Sequence, residues 1–105
     1  SLTLDQVRAQ AGGSVPTPSV LPEGFRFQAG SVSDNRRGRR VIELRYFNGA
    51  NVLSVFMTPD SPGGGPARTE RPRHGVLFGR QAGMKVVIIG NQSNTELERV
   101  LTSLR

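Results

Sequence analysis

The chain has 105 residues, 35% apolar and 21% charged, with 13 glycines, 7 prolines and no cysteine, which bounds it to one domain with a single modest core and excludes disulfides, thiolate metal sites and a cysteine nucleophile. Its 14 basic and 8 acidic residues give a net charge of +6, and every basic residue except Lys85 is arginine. That balance favours an anionic partner held through bidentate contacts with carboxylate or phosphate, although a high-GC genome that spells surface cations as arginine produces the same bias.

Thr3-Leu4-Asp5-Gln6 reads as a capping box that opens a short helix with Leu4, Val7 and Ala11 on one stripe, stopped by Gly12-Gly13. In residues 14–22, Pro16, Pro18 and Pro22 forbid helix and predict an extended strap over the body, pinned by Val15, Val20 and Leu21. Phe25 and Phe27 alternate with Arg26 and Gln28 to begin a first strand that runs to about Asp34 and ends at the turn Asn35-Arg36-Arg37-Gly38.

Residues 40–58 read as the hairpin onto which the other segments dock. A two-residue type I′ turn at Asn48-Gly49 sets Leu44 against Leu53, Ile42 against Val55 and Tyr46 against Asn51. A four-residue loop, Asn48 to Asn51, instead sets Tyr46 against Leu53, Leu44 against Val55 and Ile42 against Met57, and an odd-length loop needs a bulge to keep that face apolar. The opposite face carries Glu43, Arg45 and Ser54 with Val41, Val52 and Phe56, a mixed surface expected to be only partly covered.

Residues 59–73 contain Pro59, Pro62, Pro66, Pro72 and Gly63-Gly64-Gly65 and are expected to be a mobile loop without regular structure. Val76 begins a fourth strand that reaches Arg80, Gln81-Ala82-Gly83 turns the chain, and residues 84–89 form a fifth strand. That strand is apolar on both faces through Val86, Val87, Ile88 and Ile89, as an interior strand would be. Ser93-Asn94-Thr95-Glu96 is a second capping box, and Leu97, Val100, Leu101 and Leu104 then follow at helical spacing. The expected fold is α+β: an antiparallel sheet of about five strands with a short N-terminal helix and a C-terminal helix packed on the sheet. No apolar run reaches the ~18–20 residues of a membrane span, and a chain opening on Ser1 rather than an initiator Met reads as an excised or processed segment.

The sequence argues against an enzyme. His74 is the only histidine, so a Ser-His-Asp triad would have to assemble at the end of a loop, and no nucleophile-elbow pattern is present. Glu96 and Glu98 diverge on one helix, while Asp60 and Glu70 lie on the loop among arginines, which is no paired-carboxylate arrangement. Gly63-Gly64-Gly65 lacks the following Gly-Lys-Ser/Thr of a phosphate loop, and one histidine with scattered carboxylates offers no spaced metal-ligand set, so neither cofactor nor metal is expected. Two basic clusters remain as candidate partner-binding residues: Arg36, Arg37, Arg39 and Arg40 on the first turn, and Arg68, Arg71 and Arg73 beside His74 on the long loop. Charge runs are often only solvated turns, but these would serve a protein partner or an anionic lipid surface. A basic nucleic-acid-binding module is the alternative. It is disfavoured because the five Phe and single Tyr fall mostly at strand positions expected to be buried rather than free to stack on bases.

Four pieces of the chain carry a family resemblance: Leu21-Pro22-Glu23-Gly24-Phe25-Arg26, the run Tyr46 to Phe56, the strand at Gly75, and Val86-Val87-Ile88-Ile89-Gly90 before a helix ending in Ser103-Leu104. In this order and spacing they resemble the C-terminal domain of RseB/MucB-type periplasmic regulators of the sigma-E envelope stress response. They also resemble a small domain of extracytoplasmic bacterial lipoproteins and anti-sigma factors in which a Thr-Pro-Ser-x-Leu-Pro-Glu-Gly stretch, here Thr17 to Gly24, precedes the sheet. The resemblance spans residues 2–104. It implies a non-enzymatic α+β domain in the bacterial cell envelope that holds a protein partner, such as the extracytoplasmic segment of a membrane-bound anti-sigma factor. The long Pro/Gly/Arg loop and the doubled arginine turn depart from the family pattern.

Overall fold

Alternating apolar residues make β2 (Arg40–Phe47) and β3 (Val52–Pro59) a hairpin whose register decides the core. Ile42 faces Met57, Leu44 faces Val55 and Tyr46 faces Leu53, the pairing of a four-residue loop, and all six side chains are buried. Asn48 selects that loop, because its Oδ1 accepts the amides of Ala50 and Asn51 at 2.9 and 2.7 Å. Gly49 has a positive φ of 97°, but Asn48 does not, so the two-residue type I′ turn does not form there. The φ signature of that turn occurs instead at His74-Gly75 (51° and 75°) and Ala82-Gly83 (52° and 75°), which close the two-residue loops between Arg73 and Val76 and between Gln81 and Met84.

The computed structural model describes residues 1–60, 68–69 and 73–105. Its sheet adds β1 (Arg26–Asp34), β4 (Arg68–Thr69), β5 (Val76–Gln81) and β6 (Met84–Ile89), in the antiparallel order β1-β2-β3-β6-β5-β4. Five long strands are thus extended at one edge by a two-residue strand, in a stretch where no regular structure was expected. Gly63-Gly64-Gly65 lies outside the described residues. β1 carries a bulge at Gln28, where the register shifts between Phe27 and Ala29. β6 sits between β3 and β5, the interior position its apolar run suggested, although only Val86 and Ile88 of that run are buried and Ile89 is 45% exposed.

Both helices pack on the face that carries Leu44, Val55 and Ile88. The capping box of α1 (Leu4–Ala11) is complete, Thr3 and Gln6 exchanging hydrogen bonds. Its Val7 is fully buried above Gly30 of β1. At α2 (Asn94–Thr102) only half of the expected box is present: Ser93 Oγ accepts the Glu96 amide, while the Glu96 carboxylate accepts the Ser93 hydroxyl rather than its amide. Leu97, Val100, Leu101 and Leu104 are all buried, as their spacing predicts.

The strap of residues 14–22 is pinned by Val15, which is buried, and by Leu21, which packs against the core, but not by the Val20 side chain, which is 49% exposed. Main-chain pairing adds to this: the Thr17 and Arg105 amides donate to each other's carbonyls at 3.1 and 3.2 Å, and the Ser19 amide donates to the Ser103 carbonyl at 3.2 Å.

Candidate functional site

The two faces of the sheet differ. Strand alternation puts the core residues under the helices and sends Glu43, Phe56, Val87 and Phe78 to the other side, aligned in one row across β2, β3, β6 and β5. The next row is Arg45, Ser54, Ile89 and Val76, and beyond the first lies Thr58, Lys85 and Arg80. No described helix packs on this face. Phe78 is 52% exposed and Ile89 45%, and Phe56, Val87 and Val76 are partly exposed. The aromatic residues are therefore less buried than their strand positions suggested: of the five phenylalanines only Phe25 is buried.

The arginines singled out from the sequence do not form one patch. Arg36, Arg37, Arg39 and Arg40 are exposed at the β1–β2 turn. That turn is shaped by Asn35, whose Oδ1 accepts the amides of Arg37 and Arg39 at 2.9 and 3.0 Å. Arg40 already has a structural task, donating through Nη1 to the Ala11 carbonyl at 2.9 Å, where a cation suits a helix C-terminus. The backbone of Arg68 lies in β4 opposite Arg80, at the same end of the sheet but the far edge. Arg73 stands at the opposite end of β5, paired with Val76 and exposed. Arg71 lies outside the described residues.

Pairing with Val76 gives Arg73 the same face as Val76, so it joins Arg45 and Lys85 around the apolar rows. Sequence reasoning did not single out Arg45 or Lys85 as site residues. The alternation that flagged Phe56 and Arg45 on one hairpin face would have found Lys85 and Phe78 had the pairing of β3 with β6 been known.

Two carboxylates on this side of the molecule are held in ion pairs. Glu43 is held by Arg45 at 3.2 Å and by the Ser31 hydroxyl at 3.4 Å, beside a shallow depression of about 270 Å³ also lined by Ser1, Ala29 and Gly30. Arg80 pairs with Asp60 at 3.1 Å. Lys85 makes no ion pair with a described residue. Tyr46 lies on the helix side, its ring edge-on to Phe27 at 5.8 Å. Burial pushes its phenol up to about 12, against an opposing pull from Arg8, so it carries no proton chemistry near neutral pH. Among the described residues no three His, Cys, Asp or Glu converge on a point, and no helix is long and apolar enough to cross a membrane.

No protein-family model and no curated protein sequence matches this chain. Among solved structures, the fold is similar to that of MucB, determined in complex with MucA(peri). The TM-score is 0.68 at 21% identity, covering 88% of this chain and 37% of that one. The chain thus spans little more than a third of the MucB chain, and at this identity the likeness is one of fold.

Proposed function

We propose that this chain is a non-enzymatic regulatory domain of the bacterial cell envelope that binds a protein partner, the extracytoplasmic segment of a membrane-anchored anti-sigma factor. The observation that carries this reading is the fold shared over 88% of the chain with MucB, a protein solved in complex with MucA(peri). The four sequence pieces that resemble the RseB/MucB type support it, as does a sheet face left apolar and rimmed by cations. On this reading residues 1–105 are one domain of a longer exported precursor. The proposed contacts are Arg36, Arg37, Arg39 and Arg40 on the first turn and, as a separate group, Arg68, Arg71 and Arg73 of the long connection, guanidinium groups being suited to bidentate contact with carboxylates. A strand edge beside that connection offers main-chain hydrogen bonds as a second mode of contact.

The test is a pull-down with the extracytoplasmic segment of the cognate anti-sigma factor, comparing the wild type with Arg68, Arg71 and Arg73 changed together to Ala. Loss of binding at unchanged stability supports the arginine contact. Unchanged binding removes those residues from the surface, and no binding by either folded protein defeats the function. Anionic vesicles in the same assay separate a lipid surface from a protein partner.

A further inference from the structure

We infer that the open face of the sheet is a docking site for an acidic amphipathic helix, seated on Phe56, Val87 and Phe78 with its carboxylates against Lys85 and Arg73. The inference rests on the protein-binding reading above and names the site and the partner's chemistry.

Three observations carry it. The first is dimension. Phe56, Val87 and Phe78 are register neighbours on three adjacent strands. They span about 10 Å at the usual inter-strand spacing, which matches the ~10 Å diameter of a helix with its side chains. Ile89 and Val76 extend the apolar surface along the strands.

The second is hydrogen bonding. In the interior of a sheet the backbone groups are already paired between strands, so this face offers side chains only. A single segment that satisfies its own backbone internally is a helix, as on the opposite face, where α1 and α2 already lie. An added strand would need an edge instead.

The third is charge. Lys85 and Arg73 flank the apolar rows at opposite ends, while Glu43 is already held by Arg45. A second copy of this chain would bring the same cations together at a net charge of +6 each. The chain's own residues 61–67 and 70–72 contain no aromatic, Leu, Ile, Val or Met. An acidic partner meets both constraints. A single-stranded nucleic acid would share the charge, but Val87, Ile89 and Val76 have no ring to stack on a base, and only Phe78 is more than half exposed.

The experiment is an amide chemical-shift titration of the labelled chain with a synthetic Leu/Glu amphipathic helix of about five turns, or about 18 residues. Controls are its scrambled sequence, a Leu/Lys version and an oligo-dT. The expected result is saturable binding of the Leu/Glu helix alone, with shifts centred on β3, β6 and β5. Phe78→Ser and, separately, Lys85→Glu should each weaken it about tenfold or more. Lys85→Glu alters charge at an exposed position, so it reports even if Phe78→Ser disturbs folding. Equal affinity for the scrambled or Leu/Lys peptide, shifts confined to the β1–β2 turn, tighter binding of oligo-dT, or no saturation at all would overturn the inference. Repeating the anti-sigma pull-down with Lys85→Glu separates the two readings. If the segment binds the wild type and this variant equally, the open face is not its site and the proposed function stands. If it binds neither while the Leu/Glu helix still binds, the function fails and the docking site stands.

Discussion

Gly30→Ala should report directly on how α1 is seated. Gly30 lies in β1 opposite Leu44 and directly beneath Val7, and a Cβ placed there would come 2.5 Å from Val7 Cγ2 and 3.1 Å from the Glu43 carbonyl oxygen. Neither side can easily withdraw. The Gly30 backbone is fixed by both of its hydrogen bonds to Leu2, each 2.8 Å, and by β2 on the other side. Val7 is fully buried and β-branched, with little rotamer freedom. Ordinary carbon contacts lie at ~3.5–4.0 Å, so Val7 must retreat by at least about 1 Å. Overpacking of this kind costs ~1–3 kcal/mol, while replacing a strand glycine regains ~0.5–1 kcal/mol of backbone entropy. The net expectation is a loss of about 1–2 kcal/mol in urea denaturation with an unchanged m value. Val7→Ala alone removes two methyl groups at ~0.8 kcal/mol each plus a cavity term, about 2 kcal/mol in all. In the double variant the methyl group added at position 30 occupies space that the valine has vacated, so adding Gly30→Ala to Val7→Ala should cost close to nothing. The same cost for Gly30→Ala in both backgrounds would refute the contact, because coupling in the cycle is its signature.

Two further perturbations test the turns and the core. Gly75→Ala should destabilise by ~3 kcal/mol or more, because a positive φ of 75° combines with a Cβ only 2.5 Å from the Gly90 carbonyl oxygen. Gly49→Ala, at φ 97° but with nothing within 4 Å, should cost only the ~1–2 kcal/mol of the left-handed conformation; equal losses in thermal melts would contradict this ranking. Tyr46, with its phenol pushed up to about 12, favours the neutral form in the fold. Stability should therefore be level below the unfolded tyrosine value near 10 and fall by roughly 2–3 kcal/mol as pH rises from about 10 through 12. Tyrosinate absorbance follows that ionisation unambiguously because the chain has a single tyrosine, and Tyr46→Phe should abolish this part of the slope.

Local patterns made much of this fold legible. The Thr3 capping box, the α2 stripe and the interior character of β6 each follow from a few neighbouring residues whose chemistry admits little else. Where two solutions satisfied the same pattern, the sequence did not choose. Asn48-Gly49 suits a two-residue turn, yet the Asn48 side chain stabilises a four-residue loop. The type I′ dihedrals fell instead to the pairs led by His74 and Ala82, and an alanine has no preference for positive φ that would have announced the second. Val20 misled because that part of the strap is tied to residues 103–105 by main-chain bonds and by the Ser19 and Ser103 hydroxyls, which no apolar pattern announces. The candidate surface was hidden for a related reason. Phe56 and Phe78 are 22 positions apart and share a patch only because β3 pairs with β6 and β6 with β5.

The strand order also divides the sheet in a way that matters for how it forms. β1, β2 and β3 make one meander and β4, β5 and β6 another, each built from neighbours in sequence. The ladder between β3 and β6 joins residues as far apart as Ser54 and Ile89. Each meander closes through short loops, whereas zipping β3 onto β6 must close a much longer one, so that step should set the folding rate. A helix resting on Phe56, Val87 and Phe78 grips both meanders across that junction. By mass action such a ligand stabilises their union, so depletion of the partner would be felt as a looser sheet as well as an empty surface.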